Sequence, residues 1–306
     1  MRYITAGSVP VIVYNDLYRS GYDAPMAWGK EPWRRAVAHV ASRVDGPPLP
    51  DDLDVTVHFH PDRLVGAVPL LRHLVTDGVY RSQFETGTSN GGLTAHAGGD
   101  RWRWEHRIFG GAYDDLPSSA RPKYGSLNYR RRPAGGSVRF GSSHLRLKRE
   151  VLARTTFCYP DSFGEPDDFG TADHLPLLRL AEADVQDELD DHIEAHVHGP
   201  LRLAADVEAL VLDPAFRGTD VEAAAAGLPF PTYWHHGFRL PVEVLAEHAD
   251  YRGEDVVRAG KEIAQDGLLD ARVIGDAVRA GRYDPQVLKR VWHCTARFGL
   301  RGDAGG

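Results

Sequence analysis

The chain has 306 residues, 42% hydrophobic and 26% charged, with a formal net charge of −7. This is ordinary globular usage, enough for one large domain or two modest ones, and the acidic balance excludes a grip on nucleic acid by net charge alone. Two distant cysteines, Cys158 and Cys294, exclude a disulfide framework or thiolate cluster, and no apolar run of about 18 residues exists to span a membrane.

The start, MRYITAGSVPVIVYND, makes a poor signal peptide, so a cytoplasmic protein is expected. Residues 1–50 read as an adapter segment. Within it, 33–44 (WRRAVAHVASRV) has helical spacing and is ended by Gly46-Pro47-Pro48. Residues 54–59 (DVTVHF) alternate and are rich in β-branched side chains, which predicts a strand. A turn at His60-Pro61-Asp62 follows, then a predicted helix over 65–75 stopped by Asp77-Gly78. Residues 81–136 carry little periodicity, although Trp102, Trp104, Phe109, Tyr113, Tyr124 and Tyr129 argue for order there. Strands are predicted over 143–147 and 151–159, a helix over 175–183, and two strands over 192–203 broken at Gly199-Pro200. Residues 207–212 (VEALVL) are a clear strand. The spacing then predicts helices over 221–226, 242–248, 255–266, 272–280 and 285–298. The expected organisation is an α+β core over 51–217 with a helical C-terminal region, 218–306, packed on it.

Four clusters carry chemistry. His58 and His60 fall on one face of a continuing strand, as a metal pair or as site residues at a strand end. Phe84 to Gly92 is a hydroxyl- and glycine-rich loop in which Thr88 and Ser89 would approach a phosphate or carboxamide; it lacks the lysine of a P-loop. Phe109-Gly110-Gly111-Ala112-Tyr113 and then Tyr124 offer two tyrosines to sandwich a flat ring. His192, Glu194, His196 and His198 occupy alternate positions, so one strand face carries a carboxylate and three imidazoles, a poor pattern for an apolar core. The arginines between Arg101 and Arg154 read either as solvated surface or as a basic wall for an anion such as a pyrophosphate, and residues 161–191 beside them are acidic.

In this order the pieces resemble the ADP-ribosyltransferase superfamily, in its diphtheria-toxin and poly-ADP-ribose-polymerase branch. That branch has a strand ending in a histidine motif, a short helix, a glycine-tyrosine stretch with a second tyrosine, and a late strand supplying glutamate. His60-Pro61-Asp62-Arg63, Phe109 to Tyr113, Tyr124 and Glu194 stand in those places; Pro-Asp replaces the usual Gly-Ser after His60. More closely, the runs HFHPDR, QFETGTSNGG, RPKYG, FGSSH and EAHVHGP are similar to those of domain of unknown function 3626, which brings no activity with it.

The remote resemblance implies a split β-sheet core, NAD as substrate, and transfer of ADP-ribose to an unknown acceptor (protein, nucleic acid or small molecule). It implies that Glu194 stabilises the ribose, that His60 or His58 binds the adenosine ribose, and that Tyr113 and Tyr124 stack on nicotinamide. Arg63 or a central arginine would hold the pyrophosphate, with Gly111, Thr88 and Ser89 in the binding loops and His192 or His196 orienting the acceptor. Two other readings stand beside it. One is a zinc hydrolase on His58/His60 and His196/His198, with Asp62 or Glu194 as ligand or base. The other is a ligand-binding protein without turnover.

Overall fold

A computed structural model describes residues 31–87 and 94–300. Its centre is an eight-stranded mixed sheet: β1 (Val55–Phe59), β2 (Lys123–Leu127), β3 (Ser143–Leu147), β4 (Thr155–Tyr159), β5 (Asp168–Thr171), β6 (Ile193–Val197), β7 (Val207–Leu212) and β8 (Thr232–Trp234). Their order across the sheet is β8-β7-β3-β1-β2-β6-β4-β5. Neighbours are antiparallel except β7 and β8, which run parallel. The principal helices are α1 (Pro32–Ala41), α2 (Leu70–Asp77), α3 (Asp100–Ile108), α4 (Leu177–Ala183), α5 (Glu254–Ile263), α6 (Ala271–Ala280) and α7 (Pro285–Phe298). The expected α+β class is observed, and no described helix is long and apolar enough to cross a membrane.

The two faces of the sheet differ in chemistry. Val55, Val57 and Phe59 of β1 and Ile193, Ala195 and Val197 of β6 point into the larger apolar core, which also takes in Val256, Ile274, Val291 and Trp292 from the C-terminal helices. The alternate positions point the other way, and the register aligns them: Thr56 opposite Ser126, Ser126 opposite Glu194, and Glu194 opposite Cys158. In the next row Tyr124 faces His196, and His196 faces Thr156. Part of this polar face is roofed by α1 and α3, where Ala36, Val40, Trp104, Ile108, Phe109 and Tyr113 form a second, smaller core.

Several boundaries depart from the sequence reading. The helix expected over 65–75 begins only at Leu70, because Gly66 turns the chain with φ +63° and a two-residue ladder pairs Leu64–Val65 with Val68–Pro69. Residues 81–136, expected to be irregular, hold α3 and β2. The sheet also reaches beyond residue 217, since β8 pairs with β7.

Asp62 joins the end of β1 to the C-terminal helices. Its carboxylate is buried and accepts a 2.5 Å bond from Arg279 on α6. Room for it exists because residue 275 is glycine: a Cβ there would stand 1.8 Å from Asp62 Oδ2. Asp62 is therefore a packing anchor and not the ligand or base that a metal reading would make of it. Gly275→Ala is expected to destabilise the chain by about 1–3 kcal/mol through overpacking. Because the alanine displaces the carboxylate, Asp62→Asn and Gly275→Ala together are expected to cost less than the two singly. Urea unfolding of the four proteins checks this, and simple additivity would contradict the shared cause.

Candidate functional site

A cleft of about 230 Å³ opens over the polar rows of the sheet. Its walls come from β1, β2 and β6, from the α2 segment, and from the start of α7; His60, Arg63, Arg101, Tyr124, Ser162 and Glu194 all line it.

Glu194 is 6% exposed and tightly held. Ser162 Oγ donates to Oε2 at 3.0 Å, His196 Nε2 lies 3.0 Å from Oε1, and the Cys158 thiol donates weakly at 3.9 Å. Arg101 stands 3.9 Å from Oε1 and donates at 2.6 Å to Ser162 Oγ. Burial works against the carboxylate, yet the His196 hydrogen bond and the Arg101 and His196 charges outweigh it and hold its pKa down to about 2. A buried, ionised carboxylate thus faces the cleft across the β6 register.

Behind it lies a second buried pair. Glu105 of α3 accepts from Arg121 at 2.6 Å and from the Tyr124 hydroxyl at 3.0 Å. Arg101 covers the Tyr124 ring at 4.0 Å. Burial pushes the Glu105 carboxyl up to about 7 in spite of Arg121. Removing either partner alone would leave a buried group uncompensated, typically about 3–5 kcal/mol.

The histidines separate into different roles. His58, His60 and His73 line the cleft; His58 is saturated, the Ser137 N–H donating to Nε2 at 3.2 Å and Nδ1 meeting the Gly141 carbonyl at 3.2 Å, whereas the His60 ring has no hydrogen bond among the described residues. His60 rests edge-on against Trp292 of α7 at 5.2 Å. His196 is 0% exposed, held by Thr156 at 3.1 Å on Nδ1 and by Glu194 on Nε2, so it orients the carboxylate and cannot touch an acceptor. His198 lies between the Tyr113 hydroxyl (2.6 Å) and Thr156 (2.9 Å). His192 is buried beside Phe140 and 3.9 Å from Asp161, both of which line the cleft, but it does not itself line it.

Other expectations are corrected by burial. Tyr113 is 1% exposed in the small core and edge-on to Phe109, so the two tyrosines form no sandwich. Gly111 makes the turn after α3 with φ +68°, beside Asp114 and away from the cleft. Thr88 and Ser89 lie outside the described residues. Four arginines of the wall pair with the acidic stretch: Arg107 with Asp167, Arg139 with Asp190, and Arg130 and Arg132 with Asp191. Of the arginines between 101 and 154, only Arg101 and Arg139 line the cleft.

The four histidines of the zinc expectation do not converge. Among the described residues, one group places metal-ligating atoms within 4.8 Å of one another: Cys158, Glu194 and His196. The Cys158 thiol is held protonated, its pKa pushed well up by burial and by Glu194. Sequence reasoning missed Ser162, Arg101, Glu105 and Lys289. A wider apolar cleft wall, Leu64, Leu70, Leu74 and Val79, was equally invisible, because its residues belong to a hairpin and a helix that meet only in the fold.

A family profile described as "Protein of unknown function (DUF3626)" matches residues 54–181 and 173–297, well over half of the chain, and the chain belongs to this family. No curated protein matches it.

Burial holds several imidazoles of the fold neutral, and stability should report this. Burial is the first cause in each case; it lowers His58 and His293 to about 3 and His60 and His235 to about 4. Each is depressed below its ordinary 6.5, so the unfolded chain binds more protons between those values. Their contribution is present above about pH 6.5 and is lost as pH falls toward 4. Glu105 and Asp213, both raised to about 7 mainly by burial, act in the opposite sense and lose their contribution as pH rises toward 7. The four histidines outnumber the two carboxyls. The urea midpoint is therefore expected to fall steadily from pH 6.5 to pH 5; a midpoint that rises on acidification would contradict this balance.

Proposed function

We propose that this DUF3626 protein is an enzyme that cleaves NAD between nicotinamide and ribose and transfers the ADP-ribose to an acceptor, on a variant of the ADP-ribosyltransferase sheet. The observation that carries the reading is the ionised, buried Glu194 facing a cleft that also receives His60, Tyr124 and Arg63. The strand order supports it: β2, bearing Tyr124, lies between β1, which His60 directly follows, and β6, which bears Glu194.

Breaking the nicotinamide–ribose bond develops positive charge on the sugar, as in glycoside cleavage. A carboxylate already ionised and already oriented stabilises that charge without reorganising when it forms. Ser162, His196 and Arg101 supply the orientation, so Glu194 is the catalytic residue and these three are positioning residues. His60 is the histidine free to take a ribose hydroxyl. Tyr124, its hydroxyl tied to Glu105 and one ring face under Arg101, offers a fixed wall to the base. Tyr113 takes no part in this scheme, nor does His58.

A second reading rests on the grouping of Cys158, Glu194 and His196, which zinc would occupy as a Cys-His-carboxylate set. It shares Glu194 with the first reading, so activity loss on mutation of Glu194 does not separate them. Cys158→Ser does: it removes a zinc ligand but only a weak hydrogen bond from the NAD scheme.

Glu194→Gln is expected to slow nicotinamide release from labelled NAD by about 10²–10³-fold, with NAD affinity changed by no more than roughly threefold. Cys158→Ser is expected to retain activity. Nicotinamide release by Glu194→Gln at the wild-type rate refutes the proposal; stoichiometric zinc lost with Cys158→Ser, together with lost activity, replaces it by the metal reading.

A further inference from the structure

On the wall of the cleft, cations gather from parts of the chain far apart in sequence. Arg63 comes from the turn after β1, Arg139 from the loop before β3, and Lys289 from α7, and all three line the cavity. Arg252 stands close behind them, and burial together with Arg139, Arg63 and Arg252 draws the Lys289 ammonium below its ordinary range. Lys289 is half-buried and, among the described residues, has no hydrogen bond or ion pair. The acids nearby are committed or few: Arg139 uses one terminal nitrogen on Asp190, with Asp161 and Asp187 within electrostatic reach, while its Nε is buried without a partner. His293, one turn further along α7, is 4% exposed and has neither ring nitrogen bonded.

Like charges held together in a partly desolvated cavity raise the energy of the free protein, and they remain only where something offsets the repulsion. A guanidinium presents a fork to two phosphate oxygens and an ammonium adds a point charge, so this combination suits a phosphate group better than a single carboxylate. We propose that Arg63, Arg139 and Lys289 form a binding site for a phosphate-bearing ligand, and that the C-terminal helices are in this way part of the active site. The inference goes beyond the NAD reading, since it applies to any phosphorylated ligand that extends from this corner toward Glu194.

The test uses the full chain and two probes, sodium pyrophosphate and inorganic phosphate, against sodium chloride at matched ionic strength. Binding is measured by calorimetry and by the rise in Tm. Saturable binding of either phosphate species to the wild type is expected, weakened roughly tenfold in Lys289→Met, one charge-assisted contact being lost. Lys289→Arg is expected to restore it, and Lys261→Met, an exposed α5 change, to leave it unaltered. A Tm rise matched by chloride, or equal affinity in wild type and Lys289→Met, overturns the proposal; the tighter of the two probes tells whether a mono- or diphosphate is held. Phosphate binding without NAD cleavage would remove the activity reading and leave this site standing. NAD cleavage without phosphate binding would do the reverse, and Glu194→Gln, which removes none of the three cations, should leave pyrophosphate binding intact.

Discussion

The structure depends on one constraint: a sheet with a polar face must bury part of that face and still satisfy it. Thr56, Ser126, Tyr124, Glu194, His196 and Thr156 stand on the side opposite the main core, and α3 covers their β6 end. An ordinary amphipathic helix would leave Glu194 and the Tyr124 hydroxyl without partners, at a cost of about 1–3 kcal/mol or more for each group. The covering helix accordingly turns Arg101 and Glu105 inward beside Trp104 and Ile108. Arg101 compensates Glu194, and Glu105 takes the Tyr124 hydroxyl and the Arg121 guanidinium. The site and the second core are therefore one construction, and loosening α3 would disturb both.

A second dependence runs through the turn after β1. His60, Asp62 and Arg63 leave the strand within four residues, yet they face different tasks. Asp62 is clamped by Arg279 against the α6 backbone at Gly275. That clamp fixes the direction of the turn, which sets His60 against Trp292 and Arg63 in the cleft. Trp292 is in turn tied by its indole N–H to the Val138 carbonyl at 2.9 Å, next to Arg139. The helices after residue 218 are thus not an appendage. They form the wall against which the β1 end is pressed.

How much of this was legible follows from the same physics. Val207–Leu212 and Pro285–Phe298 are readable because apolar residues make up all or most of what they bury. α3 was not, since two of its four buried residues are Arg101 and Glu105, and charges facing inward erase the periodicity that marks a helix. β2 was hidden for a related reason: Lys123-Tyr124-Gly125-Ser126 gives polar residues to a central strand whose burial comes from its neighbours. The alternation of Glu194, His196 and His198 was read correctly as one face, but its depth was not, and depth decides that only Glu194 meets the cleft. Lys289 sits on a readable helix, but no local pattern connects it with His60; only the packing of α7 does.

Charge is distributed unevenly along the cleft, and that unevenness limits what fits there. One part of the wall presents a carboxylate held ionised by Arg101 and His196; another presents Arg63, Arg139 and Lys289. A uniformly cationic ligand would be repelled by the second group, and a uniformly anionic one by the first. The favoured ligand is anionic at one end and gains positive charge at the other, either at rest or as it reacts. A pyridinium nucleotide has this polarity: phosphates in the middle of the molecule and a cationic ring bonded to a sugar at the terminus. A chain of net charge −7 nonetheless brings three cations together on this part of the cleft wall, which steers such a ligand in one orientation. The apolar wall of Leu64, Leu70, Leu74 and Val79 lowers the local polarity of the same cavity and so strengthens both fields. Orientation and transition-state stabilisation would then follow from a single charge pattern, one that arises because α3, over the polar face, and α7, from the main core, each bring a cation to the cleft.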